Sequence, residues 1–176
     1  MTGNDDEAAL VIRAQCGDRA AMEDVLRRAQ PALHRYLVRL VGPTAADDVL
    51  QETLIAIARK LSWLAEPRFF RAWSYRIASR AAFEHLRKER KRGRQESRDD
   101  VLAALEAAAE QPSGEQLREL LESPALSPAS RAVLLLHFQE EMPLAQVAAI
   151  LEVPLGTVKS RLAYGLAALR RQLSRK

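Results

Sequence analysis

The segment from Glu141 to Leu173, EMPLAQVAAILEVPLGTVKSRLAYGLAALRRQL, holds two short apolar-periodic blocks hinged at EVPLG. In the second block Leu155, Val158, Leu162, Leu166, Leu169 and Leu173 recur at spacings of three and four. At about 100° per residue they form one apolar face of a helix. Ser160 and Tyr164 then point nearly opposite, with Thr157 close by and Lys159 and Arg161 on the flanks. The first block, Leu144 to Leu151, turns Val147, Ala148 and Leu151 inward, and small Ala148 permits close approach. Two helices crossing steeply through so short a turn describe a helix-turn-helix, whose second helix enters the DNA major groove.

The residue types suit that reading. Lys159 and Arg161 can neutralise phosphates, each contact releasing counterions. Thr157 and Ser160 offer hydroxyls near a helix N-terminus, where backbone N–H groups also favour phosphate. Arg161, aimed inward, can read guanine with two hydrogen bonds. An αα-hairpin with a solvated polar face has the same spacing. The preceding SPASRAVLLLHFQEE supplies a third helix for a small core and favours DNA binding.

The rest of the chain is consistent with an all-α protein. Of its 176 residues 48% are hydrophobic but only 5% aromatic, so the core must be Leu, Val, Ile and Ala, and the scarcity of Gly favours helices. The net charge of +4 is distributed in blocks. From Arg68 to Arg94 the sequence is strongly basic, countered only by Glu84 and Glu89; from Gln95 to Pro124 it is acidic; from Ser127 it is basic again. This layout predicts two cationic domains, 1–94 and 127–176, and an anionic linker, 95–126.

Local signals place the helices. Asp18 reads as an N-cap, Pro31 as the start of a new helix, VGPT at 41–44 as a break and AEPR as another. AADDVLQETLIAIARKLSWL carries an apolar stripe through Val49, Ile57, Leu61 and Leu64. A long helix is expected from about Phe69 to Arg92, with Phe69, Trp73 and Ile77 inward, Ala81 and Leu86 as further inward candidates, and Tyr75 assigned to neither face. The linker contains two helical segments, DDVLAALEAAAEQ and GEQLRELLE. Cys16, the only cysteine, is expected to be a buried, inert thiol. The N-terminus lacks a signal-peptide pattern and no stretch approaches the roughly 20 apolar residues of a membrane span, so a soluble cytoplasmic protein without membrane insertion is expected.

Three motifs, in order, resemble one family. LSPASRAVLLLHFQEEMPLAQVAAILEVPLGTVKSRLAYGLAALRRQL resembles region 4 of bacterial extracytoplasmic-function (ECF, group 4) sigma factors. ADDVLQETLIAIARKL resembles region 2.2, and FFRAWSYRIASRAAFEHLRKERKR resembles regions 2.3 and 2.4. The resemblance implies a region 2 helical bundle, a partly helical linker and a region 4 helix-turn-helix. It implies binding of core RNA polymerase (the beta and beta-prime subunits) through Asp47, Asp48, Gln51 and Glu52. It implies reading and opening of the minus-10 promoter element by Arg76, Arg80, Phe83, Glu84, Arg87 and Lys88, with the loop Ala65 to Phe70 forming part of a base pocket. It implies reading of the minus-35 element by Thr157, Lys159, Ser160, Arg161 and Tyr164. Control by an anti-sigma factor is also implied, on apolar edges for which Leu50, Leu54, Leu134 and Leu135 are candidates. Where relatives often carry Asn this chain has Arg80, so no base preference transfers to that position.

No catalytic residues, metal site or cofactor are expected. His34, His85 and His137 lie far apart with no adjacent nucleophile, and there is no Gly-rich phosphate loop. The runner-up function is a helix-turn-helix regulator that binds promoters without being a polymerase subunit. A decoy that titrates an anti-sigma factor would lack the DNA-reading surfaces or carry a receiver domain.

Overall fold

The computed structural model describes residues 3–92 and 126–173, and among these residues every regular element is helical. The chain divides into two compact units, residues 1–88 and 89–176. Both helical segments expected in the acidic linker lie outside the described residues.

The N-terminal unit is built from α1 (Gly3–Gln15), α2 (Arg19–Val41), α3 (Pro43–Lys60) and α4 (Phe70–Arg92). Local chemistry sets the helix ends. The Asp18 carboxylate accepts the Ala21 N–H at 3.0 Å, capping α2, while its other oxygen accepts from Arg13 at 2.6 Å. That backbone bond, with Arg13 beside it, holds the Asp18 carboxyl below its ordinary value. Gly42, at φ 88, turns the chain between α2 and α3, and Pro43 opens α3 where no N–H partner is needed.

Pro31 does not begin a helix, as its sequence context suggested; α2 runs through it. A proline inside a helix costs about 3 kcal/mol. Here it lies on the exposed side, while Val25, Leu33, Tyr36, Leu37 and Leu40 on either side are buried. Each such burial contributes about 1.5–3 kcal/mol, so packing outweighs the defect. Cys16 also departs from expectation. It comes directly after the last residue of α1 and is exposed.

The core joins these α2 residues to Val49, Leu50 and Ile57 of α3, and to Phe70, Tyr75, Ala78 and Ala82 of α4. Tyr36 and Tyr75 meet edge to face, with ring centroids 5.4 Å apart. Tyr75, which the sequence left unassigned, is therefore an interior residue. Phe69, expected inward, is exposed, and Trp73, Ile77, Ala81 and Leu86 are half-buried. The inward face of α4 includes Ser74 and Ser79. Both hydroxyls are satisfied, Ser74 donating to the Arg71 carbonyl at 2.8 Å and Ser79 pairing with Tyr36. Their polarity hid this face from a hydrophobic reading.

In the C-terminal unit, Ser127 caps α5 (Pro128–Leu134) by accepting the Ser130 N–H. The helix then widens into a π-helical turn, Leu135–Gln139. His137 Nδ1 donates to the Met142 carbonyl at 2.9 Å, fastening this turn to the approach to α6 (Leu144–Leu151). Glu152, left-handed at φ 55, reverses the chain, and its successor's N–H reaches the Ala148 carbonyl at 3.2 Å. The last helix, α7 (Leu155–Leu173), packs on α5 and α6, with Val158, Gly165, Ala168 and Leu169 buried. A methyl added at Gly165 would come within 2.9 Å of Leu134 Cδ1, so α5 and α7 touch almost backbone to side chain. Leu155, expected on the apolar face, is exposed.

Candidate nucleic-acid interface

On α3 the inward side takes Ala46, Val49, Leu50, Thr53 and Ile57. The opposite side brings together the four polar residues singled out from the sequence: Asp47, Asp48, Gln51 and Glu52 are all exposed. Asp47 pairs with His34 Nε2 of α2 at 3.1 Å. The apolar member of this surface is Ile55, exposed at 44%. The sequence reading nominated Leu50, Leu54, Leu134 and Leu135 for such a role. Leu50, Leu134 and Leu135 are buried in their cores and Leu54 is half-buried. Ile55 was missed because it fell inside a generally apolar helix; only the inward roll of α3 separates it from Ile57.

On α4, Arg76, Arg80, Phe83 and Arg87 stand at i, i+4, i+7 and i+11, one helical stripe. Arg80 and Arg87 are exposed, while Arg76 and Phe83 are half-buried. Trp73, three residues before Arg76, borders the same stripe. Its neighbour ring is Phe70, 6.2 Å away. Glu84 and Lys88 lie beside the stripe and pair with each other at 3.0 Å. The Lys88 ammonium holds the Glu84 carboxyl below its ordinary value, so Glu84 stays ionised and offsets Lys88. Arg90, Lys91 and Arg92 continue the positive end of the helix, with Arg92 paired to Glu89.

The loop into α4 contains two 3-10 turns, Leu61–Trp63 and Pro67–Phe69. It leaves Trp63 and Phe69 in solvent. Trp63 went unremarked in the sequence, where Leu61 and Leu64 around it read as one apolar run.

On α7, Lys159, Ser160 and Tyr164 are exposed, whereas Thr157 and Arg161 are half-buried at the edge of the core. The Ser160 hydroxyl donates to the Thr157 carbonyl at 3.0 Å. The outward arc also includes exposed Gly156, Arg170 and Arg171, with half-buried Ala163 and Ala167 along its middle. Small residues there let the helix backbone approach a groove closely, with cations on either margin to meet phosphates. Alanine carries no charge or hydrogen-bonding group, so the sequence alone offered no reason to pick these two out.

Among the described residues no group of His, Cys, Asp or Glu could hold a metal ion.

Comparison with known proteins gives consistent matches. The family model described as Sigma-70 region 2 matches residues 25–92, and the one described as Sigma-70, region 4 matches residues 124–171. The ECF RNA polymerase sigma factor SigL of Mycobacterium tuberculosis is 33% identical over 167 residues, spanning 92% of this chain and 94% of its own. The ECF RNA polymerase sigma factor SigW of Bacillus subtilis is 26% identical over 173 residues, spanning 89% and 91%. Among solved structures, CnrH in complex with the cytosolic domain of CnrY matches with a TM-score of 0.66 at 22% identity, over 97% of this chain and 98% of that one. The sigma factor RpoE in complex with the anti-sigma factor NepR from Bartonella quintana matches with a TM-score of 0.66 at 21% identity, over 86% and 96%.

Proposed function

We infer the function from one premise: the chain belongs to the extracytoplasmic-function RNA polymerase sigma factors. It is a sigma factor, which binds core RNA polymerase and directs it to promoters. Within that role the exposed helix faces divide the work.

The observation that carries the assignment is the outward display of two polar, cation-bearing helix faces, one in each unit: Arg80 and Arg87 on α4, and Lys159, Ser160 and Tyr164 on α7. In our reading α4 and the loop before it engage the minus-10 element. Its arginines hold the backbone while bases of one strand leave the stack, a step that costs a few kcal/mol and needs compensating contacts. α7 enters the major groove of the minus-35 element, with Lys159 on phosphate and Ser160 and Tyr164 toward base edges. The exposed face of Asp47, Asp48, Gln51, Glu52 and Ile55 docks on the beta and beta-prime subunits. An acidic edge around one apolar side chain suits a basic, partly apolar partner surface.

One structural neighbour was solved with an anti-sigma factor. We extend this to the present chain and assign Ile55 and the α3 face as one surface such a factor would cover, in competition with polymerase. The chain itself performs no chemistry; the polymerase does. No helix among the described residues is long and apolar enough to cross a membrane, and we assign its work to the cytoplasm, where polymerase and promoter meet.

Run-off transcription with purified core polymerase and a genomic promoter library tests this reading. Initiation from defined start sites only when the chain is added is the expected result. Tight promoter binding by the chain alone, with no gain on adding core, would instead make it a free-standing regulator.

A further inference from the structure

Asp47 is held from the neighbouring helix. His34 of α2 places Nε2 3.1 Å from Asp47 Oδ1. A carboxylate only accepts, so Nε2 carries the hydrogen and donates it. The two side chains are 41% and 84% exposed, and an ion pair so open to water contributes little to the fold. The effect of this contact falls instead on Asp47 itself, on where its carboxylate points and on how much negative charge it shows.

The charged groups around His34 decide what its protonation does. From α3 it meets Asp47, with Asp48 next in sequence. On α2 its neighbour Arg35 is exposed, and the positions one turn away on either side carry no charge. Two turns back Arg27 is engaged with Asp24. From α1, Glu7 interacts with Arg28 and Arg71, and Arg28 lies about 120° round α2 from His34. Tyr36, which meets α4 through Ser79, lies about 160° round from His34, so the cations of α4 are on the other side of the helix.

Asp47 is therefore the charge that His34 answers to. Histidine is the side chain whose charge changes between about pH 5 and 8. Neutral, His34 orients Asp47 through the donated hydrogen bond and leaves Asp47, Asp48 and Glu52 at full negative charge. Protonated, it sets a positive charge against Asp47 and cancels one of the three carboxylates. A basic partner surface is attracted more strongly by the first state than by the second.

We propose that His34 is a positioning residue for core polymerase: uncharged, it holds Asp47 ready for the partner, and charged, it weakens docking, so that holoenzyme assembles more tightly as pH rises. This rests on the reading of the α3 face as the polymerase-binding surface. His34 acts through Asp47 and not by its own contact with polymerase. Because linkage is reciprocal, docking of a cationic surface also drives the proton off His34.

The test titrates purified core polymerase with the full chain at about pH 6 and pH 8, the range over which histidine changes charge, at one ionic strength. At the lower pH wild type is expected to bind about fivefold more weakly than His34→Gln, the size of one exposed charge pair. At the higher pH the two should agree within about twofold, because glutamine keeps a donor and never charges. His34→Lys should bind at the higher pH as weakly as wild type does at the lower. His34→Ala, which removes the donor, should weaken binding at the higher pH by about two- to threefold and have no further effect once Asp47→Ala is present. Calorimetry in two buffers of different ionisation enthalpy should record more protons released on docking by wild type than by His34→Gln.

An identical pH profile for wild type and His34→Gln would overturn the proposal, as would an equal loss from His34→Ala with and without Asp47. Asp48→Arg with Glu52→Arg separates that result from failure of the reading beneath it. If this charge reversal weakens core binding, the face stands and only the role of His34 falls. If it leaves core binding unchanged, both fall.

Discussion

The hydroxyls of Tyr36 and Ser79 meet at 2.8 Å inside the N-terminal unit, linking α2 to α4 across a part of the core where neither is exposed to solvent. This bond fixes the roll of α4, and with it the direction in which Arg76, Arg80 and Arg87 point. Tyr36→Phe leaves the Ser79 hydroxyl buried without its partner and is expected to cost about 1–2 kcal/mol. Ser79→Ala should cost a similar amount, and the double variant less than the sum, because the two changes remove one bond. Urea unfolding of the four proteins measures the coupling.

Charge reversal on α3 tests the surface proposed to face polymerase. Asp48 and Glu52 are exposed, one turn apart, and contribute nothing to the core. Asp48→Arg with Glu52→Arg should lower affinity for core polymerase by roughly a hundredfold, since placing like charges together at an interface costs several kcal/mol. Circular dichroism should show the same helix content as wild type. Unchanged affinity in a core-binding titration would reject the assignment of this face.

Lys159 and Arg161 should behave differently although both are cations on the recognition helix. Lys159 is exposed, so Lys159→Ala should reduce the slope of log affinity against log salt by about 0.9, one phosphate contact. Arg161 is half-buried. Arg161→Ala should also destabilise the C-terminal unit by about 1 kcal/mol, which Lys159→Ala should not. Holoenzyme titrations on the upstream element at several salt concentrations, beside thermal melts of the free chain, separate the two.

Glu7 introduces a pH dependence. Burial raises its carboxyl above the ordinary value, against the opposing pull of Arg71 and Arg28. A folded state that holds its proton more tightly than the unfolded chain gains stability at low pH and loses it as pH rises through the folded value. Glu7→Gln should therefore stabilise the protein at pH 7, and the gain should vanish below about pH 4, where the carboxyl is protonated in both states. Denaturant unfolding at the two pH values checks the sign.

Helix ends were legible because capping is local chemistry. Asp18 and the break at Gly42–Pro43 act within three or four residues and do in the structure what the sequence suggested, whereas Pro31, whose effect depends on the packing around it, does not start a helix. The faces of long helices were less legible. On α4 the periodic reading favoured Phe69, Trp73 and Ile77, while the buried side belongs to Phe70, Ser74, Tyr75, Ala78, Ser79 and Ala82. On α7 it favoured a face through Leu155, Val158, Leu162, Leu166 and Leu169; Val158 and Leu169 are buried as expected, but Gly165 and Ala168 join them while Leu155 is exposed and Leu162 and Leu166 are half-buried, a face turned by roughly 60°. Both errors have the same origin. Small residues and hydroxyls are buried where helices approach closely or share a hydrogen bond, and a hydrophobic count gives them no weight. Asp47, Asp48, Gln51 and Glu52 of α3, and Lys159, Ser160 and Tyr164, are exposed as expected because the outward arcs are wide. Arg161 and Thr157 sat near a margin, and the corrected roll moved them partly under cover.

The near-contact of Gly165 with Leu134 has a consequence for how such proteins diversify. It seats α7 from behind, on the side away from exposed Lys159, Ser160 and Tyr164. In the proposed reading, replacing Lys159, Ser160 or Ala163 would alter what is read and leave the seat untouched, whereas enlarging Gly165 would shift the whole outward edge at once. On that reading target preference can be changed one side chain at a time, while the glycine behind it has no room for a larger residue unless Leu134 gives way.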